Sequence, residues 1–111
     1  MRRDRRRVEW AEVARRDLLA IADYLLEKSP ENVERVISRI EKKASTLSSF
    51  QSRGRVLPEL ARLQIREYRE LQAPPYRLVY RVEAARILVL GIFDSRRNLE
   101  DILLERLLFG A

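Results

Sequence analysis

Apolar positions along this chain recur with two different periods. From Glu12 to about Lys28, Ala14, Leu18, Ile21 and Leu25 form one stripe at 3–4-residue spacing, which predicts an amphipathic helix. Ser29-Pro30-Glu31 opens a second helix. Ser29 suits the N-cap, Pro30 the first helical position and Glu31 the positive end of the dipole. Val33, Val36, Ile37, Ile40, Ala44 and Leu47 hold the same spacing until Ser45-Thr46-Leu47-Ser48-Ser49. So short a link predicts an antiparallel helical hairpin.

Ahead of the hairpin, Val8-Glu9-Trp10 predicts a short first strand, with Trp10 as an anchor for the helices. Beyond it the period falls to two. Gln51 to Pro58 reads as a loop in which Gly54 is able to take a positive φ, and Glu59 to Leu63 as a Leu/Arg-rich lead-in. Ile65 to Leu71 alternates as a half-buried strand that Pro74-Pro75 breaks. Tyr76 to Val82 alternates cleanly, with Tyr76, Leu78, Tyr80 and Val82 on one face and Arg77, Val79 and Arg81 on the other. Tyr76 and Tyr80, sharing a face with Leu78, read as core.

Ile87 to Phe93 is apolar on both faces, as in a central strand, and the link Glu83–Arg86 has no Gly or Asn to fix its turn type. After Asp94-Ser95-Arg96-Arg97, Asn98 is placed to cap a last helix with Glu100 and Asp101 in its first turn. Leu99, Ile102, Leu103 and Leu107 form its stripe and Gly110 closes it. The order is β-α-α-β-β-β-α. It predicts an α+β fold: a short N-terminal strand and an antiparallel helical hairpin on a small, mainly antiparallel sheet, with a C-terminal helix. Residues 1–7 form a basic arm and 8–111 a single domain.

A length of 111 residues suits one core, and 46% apolar residues predict a globular chain despite 36% charged ones. The absence of Cys and His excludes disulfides, thiol nucleophiles, Cys/His zinc sites and His-based acid–base pairs. Glu100, Asp101 and Glu105 read as charges complementing a helix dipole rather than converging metal ligands, so neither metal nor cofactor is expected. The longest apolar runs, such as Ile87 to Phe93, fall far short of the roughly 20 residues of a membrane span. The basic arm is followed by no apolar stretch of a secretory signal. A cytoplasmic protein without membrane contact is the expectation.

The net charge of +6 is uneven: +4 in residues 1–7, −1 in 8–52, +5 in 53–97 and −2 in 98–111. Twenty of the 23 basic residues are Arg, whose rigid fork suits phosphates and carboxylates. This places the expected polyanion-binding surface in the second half, on Arg66, Arg69, Arg77, Arg81, Arg96 and Arg97. The structural alternative for Arg77 and Arg81 is the solvated face of a strand, paired with Glu67 or Glu70 across it.

Several segments, in order, resemble the RelE/ParE family of toxins. In the first half these are Trp10, Asp17-Leu18, Ile21, Tyr24 and Gly54-Arg55-Val56-Leu57-Pro58-Glu59-Leu60. In the second half they are Arg69-Glu70-Leu71, Pro75-Tyr76-Arg77-Leu78-Val79-Tyr80-Arg81, Asp94-Ser95-Arg96-Arg97-Asn98-Leu99 and Leu103-Leu104-Glu105-Arg106-Leu107. The resemblance spans residues 8–108. It implies the toxin half of a bacterial type II toxin–antitoxin pair, silenced by a cognate antitoxin in a hetero-oligomeric complex.

The family contains ribosome-dependent mRNA endonucleases, resembling RelE, and DNA gyrase inhibitors, resembling ParE. If the chain is RelE-like, the resemblance makes Arg77 and Arg97 catalytic, with Arg66 and Arg69 as the basic pair of the preceding strand, and the ribosome and mRNA as partners. RNA cleavage needs a proton acceptor and a proton donor as well as phosphate contacts. Arg stays protonated, no His exists, and the late Tyr of RelE-like enzymes falls near Leu103. The leucine-rich last helix is similar to ParE-like chains. The reading therefore leans towards a toxin directed at DNA gyrase or a similar target, or otherwise non-hydrolytic, that is not an enzyme. An mRNA interferase and a relic that only binds antitoxin stay open.

Overall fold

The computed structural model describes residues 5–97 and 99–109, with side chains as far as Leu107. The expected Asn98 cap, the Gly110 stop and the first four residues of the basic arm lie outside the described residues. β1 (Arg7–Trp10) leads into α1 (Glu12–Lys28), and a 3₁₀ turn at Pro30–Asn32 joins α1 to α2 (Val33–Ser45). Then come β2 (Arg55–Val56), α3 (Pro58–Ala61), β3 (Tyr68–Ala73), β4 (Tyr76–Val82), β5 (Arg86–Asp94) and α4 (Glu100–Phe109). The strands form one sheet in the order β1-β5-β4-β3-β2. β1 runs parallel to β5, across the helical hairpin, and every other pairing is antiparallel.

The apolar pattern explains the layering. β4 and β5 lie inside the sheet, so both their faces need cover. On one face Ala14 of α1 with Ile40 and Ala44 of α2 pack against Leu78, Tyr80, Ile87 and Val89, with Trp10 partly buried beside them. On the other, Leu60 of α3 and Leu103 of α4 pack with Leu57, Val79 and Phe93. Leu47, Leu78 and Leu103 are fully buried, each stabilising the fold by about 1.5–3 kcal/mol relative to exposure.

Four local expectations change. Ser29 caps no backbone group: its hydroxyl donates to Glu31 Oε1 (2.9 Å) and accepts from Asn32 Nδ2 (2.6 Å). Pro30 consequently opens the 3₁₀ turn, and α2 begins at Val33. Gly54 does not adopt a positive φ. It is glycine because a Cβ there would fall on the Glu70 carbonyl oxygen and within 2.7 Å of the Tyr80 hydroxyl. That hydroxyl accepts from Gly54 N (2.9 Å) and donates to Gln51 O (2.8 Å), pinning the loop to the core. β2 and α3 interrupt what reads as loop, and β3 starts at Tyr68 rather than Ile65. Ile65 N is instead drawn to Leu60 O (3.0 Å), closing α3, where Gln64 takes φ 66°.

Candidate functional site

The alternation of β4 turns Arg77 and Val79 away from Leu78 and towards α3. Arg77 donates Nη1 to Glu59 Oε2 (2.7 Å) and Nη2 to Glu59 Oε1 (2.8 Å), and Nε to Glu70 Oε1. Glu70, on β3, also accepts from Arg55 Nε of β2 (2.5 Å). Arg77 is 7% exposed and Glu70 1%. One guanidinium is thus held by two carboxylates at the point where β2, β3, β4 and α3 meet. The Arg77 hydrogen bonds hold the Glu59 carboxyl below the usual range, and the same bonds, against burial, push Arg77 above its own.

The other expected site residues are dispersed. Arg69 Nη1 donates to Gly54 O (2.8 Å). Arg81 donates twice to Glu83 Oε2 (3.0 and 2.6 Å), and its guanidinium lies 5.9 Å from the Tyr68 ring centroid. Arg96 grips Asp94 through both carboxylate oxygens (2.9 and 2.6 Å). That side-chain bond, with one from the Arg96 backbone N–H, takes the Asp94 pKa down to about 2. Arg66 and Arg97 are exposed, and their guanidinium groups donate to no described residue. Arg77 does pair with Glu70, but in a buried cluster rather than on a solvated face, whereas Arg81 turns to Glu83. Leu103 is fully buried and offers no hydroxyl to a site.

Arg96 and Arg97 line a groove of about 570 Å³ between α1, the end of β5 and α4; Arg66, Arg69, Arg77 and Arg81 do not. Tyr24 and Tyr76 supply its aromatic wall, and Ile21, Ile92 and Ile102 much of its apolar lining. Asp17 accepts from Ile92 N (3.0 Å) at the open edge of β5 and from Arg106 Nη1 and Nη2 (2.9 and 3.3 Å). This clamp ties α4 to α1, while Arg106 sits 5.1 Å from the Phe93 ring centroid. Burial, and then the Asp94 charge, pushes the Tyr76 phenol up, so at neutral pH it stays protonated and can donate. Glu59, Glu83 and Asp94 shift down while Tyr76 and Tyr80 shift up. These groups move away from the neutral range in which a general acid or base works.

The partners Glu59 and Arg106 escaped the sequence reading. Glu59 lies on the unforeseen α3, and Arg106 meets Asp17 across 89 positions. An acid two residues after Leu57, following Pro58 as a helix start, was the available signal for the first.

Comparison with known proteins follows from this geometry. The family model for the ParE toxin of the type II toxin–antitoxin system parDE matches residues 8–99. Among curated proteins no sequence matches. The chromosomal ParDE toxin–antitoxin system from Pseudomonas aeruginosa contains a chain 22% identical, covering 82% of this chain and 97% of that one with a TM-score of 0.69. The toxin–antitoxin complex RelBE2 from Mycobacterium tuberculosis contains one 21% identical, covering 81% and 91% with a TM-score of 0.56. The strand order, the two-faced core and the family match over most of the sequence lead to one assignment: the chain belongs to the ParE toxin family of type II toxin–antitoxin systems.

Proposed function

We propose that this toxin arrests bacterial growth in the cytoplasm by binding DNA gyrase, without hydrolysing nucleic acid, and that a cognate antitoxin silences it in a hetero-oligomeric complex. One observation carries the non-hydrolytic reading. Arg77, the residue a RelE-like nuclease would turn on its phosphate, is buried and bonded to Glu59 and Glu70. An RNA phosphate would have to displace a bidentate carboxylate to reach it. Arg97 is exposed, yet lies beside no group shifted towards neutral pH that would move a proton. The groove along α1 and α4, with Arg96 and Arg97 in its lining, supports docking of an antitoxin segment bearing apolar and acidic side chains.

The test is induction of the chain without antitoxin, followed by mapping of mRNA 5′ ends, with a supercoiling assay on purified gyrase alongside. Growth arrest, an unchanged 5′-end map and blocked supercoiling are expected. New ends inside translated codons would replace gyrase by the ribosome and make Arg77 and Arg97 catalytic. A stably expressed chain that arrests nothing would be a relic that only binds its antitoxin.

A further inference from the structure

α2 carries a second cationic surface on the side away from the core. Arg35, Arg39, Lys42 and Lys43 share a face with Ser38, at spacings of four, three and one, and Arg53 joins them from the loop after α2. Together with Thr46 they line a shallow depression of about 530 Å³. Among the described residues no carboxylate lines it.

Among the described residues none of these five cations forms a salt bridge. Arg35 donates only to the amide oxygen of Asn32 (2.9 and 3.3 Å). By contrast Arg7, Arg16, Arg55, Arg62, Arg77, Arg81, Arg86, Arg96 and Arg106 all meet carboxylates. The carboxylates of α2 itself, Glu34 and Glu41, fall about 100° or more round the helix from Arg35.

We propose that this α2 face grips the phosphate backbone of duplex DNA without reading its sequence. Charge complementarity identifies the occupant. Five uncompensated cations in one patch attract a polyanion, and four of them stand on a rigid rod. From Arg35 to Lys43 that rod advances about 12 Å, or roughly three to four base-pair rises. Ser38 adds a hydroxyl suited to a phosphate oxygen, while the Thr46 hydroxyl is already spent on Lys43 O (2.7 Å). Among the described residues no aromatic or aliphatic side chain lines the depression. A protein partner would lack an apolar anchor there, and a single strand would lack a stacking platform. Among the described residues the depression has no Asn, Gln or carboxylate to read an adenine or cytosine edge, and its long cations reach phosphates whatever the sequence between them. The inference stands on α2 alone and is independent of the macromolecule the toxin poisons.

The test compares two double variants of the full chain that lose the same charge. Arg39→Gln/Lys42→Gln empties the patch; Arg16→Gln/Arg62→Gln removes two exposed arginines that face Glu12 and Glu100. The basic arm is common to both. Binding to two labelled 20-base-pair duplexes of unrelated sequence is measured from 50 to 200 mM salt, with circular dichroism to verify folding. The patch variant should lose about tenfold or more in affinity for both duplexes, and its log–log salt slope should fall by about 2. The control should stay within about twofold of the parent chain. Equal losses in the two variants would show that net charge alone drives binding and would overturn the assignment. So would a parent chain that ignores duplex DNA at 50 mM salt, or one that binds poly-aspartate instead, which would mark the face as a seat for an acidic protein. Should the double variant fail to fold, Arg39→Glu alone gives the same reading.

Discussion

The cations of the sheet and those of α2 live in opposite circumstances. On the sheet, Arg77 is buried between Glu59 and Glu70, Arg55 shares Glu70, and Arg81 and Arg86 share Glu83. On α2, Arg39 and Lys42 stand in solvent and Lys43 is half-buried, and among the described residues no carboxylate meets them. Counted along the chain the order is reversed: residues 53–97 carry +5 and residues 8–52 carry −1. The reversal comes from geometry. Strand pairing sets residues far apart in sequence side by side, as Gln72 opposite Arg77 brings Glu70 within reach. A helix instead sorts its charges by angle, so α2 turns its acids aside and leaves its cations together. Charge available to a partner is therefore a property of faces rather than of segments.

The sharpest way to break this contrast is to empty the sheet cluster. Arg77→Ala should cost about 3–5 kcal/mol, because it takes the guanidinium from Glu59 and leaves the fully buried Glu70 to Arg55 alone. Urea unfolding of the purified chain measures it. A loss of toxicity in this variant has to be read against that loss of fold. A cost below about 1 kcal/mol would mean that water reaches Glu70 and that the cluster is no more than a surface network.

The α1–α4 clamp is the next largest. Asp17→Ala removes the acceptor of Ile92 N–H and both partners of Arg106. It should cost about 1.5–3 kcal/mol and loosen α4. Hydrogen exchange is expected to speed up in α4 and in the free edge of β5 while the β3–β4 amides keep their protection. Uniform acceleration across the sheet would show that α4 is integral to the core rather than clamped to it.

Acid sharpens the comparison further. The Glu59 carboxyl is held down by Arg77, and its folded value lies below the ordinary 4.5. Its contribution is therefore present above about pH 4.5 and lost as the pH falls through the folded value. Asp94, held by Arg96 at about 2 against an ordinary 3.8, extends the same trend to lower pH. Urea midpoints should fall between pH 4.5 and 2, and Glu59→Gln should flatten the upper part of that decline. An unchanged pH profile in Glu59→Gln would separate Arg77 from Glu59 in solution.

These effects also mark what the sequence made legible. Tyr76 to Val82 announced its two faces because seven residues give period-two alternation room to repeat, and the stripe from Val33 to Ala44 did the same for α2. β2 and α3, at two and four residues, are too short to carry a period. With α3 unseen, Glu59 had no address, and Arg77 read either as a polyanion ligand or as a strand-face partner of Glu67 or Glu70, with no second carboxylate in view. Gly54 read only as a residue able to take a positive φ; its actual constraint is the approach of Glu70 and Tyr80, which only the folded sheet supplies. The α2 patch escaped because segment sums cancel cations against acids that the helix later separates.

The smallest expected effect bears most directly on the contrast. Arg39 lies four residues from Arg35 and four from Lys43, so it faces like charges in both directions along the helix. Each such pair destabilises a helix by about 0.2–0.5 kcal/mol, and Gln has nearly the helix propensity of Arg. Arg39→Gln should therefore leave stability unchanged or raise it by at most about 1 kcal/mol. The gain should shrink as salt screens the repulsion. Thermal unfolding at low and high salt checks both halves of this statement. A destabilisation above about 1 kcal/mol that salt deepens would mean that Arg39 has an attractive partner in solution. The cations of α2 would then be held as those of the sheet are, and no longer free for a phosphate backbone.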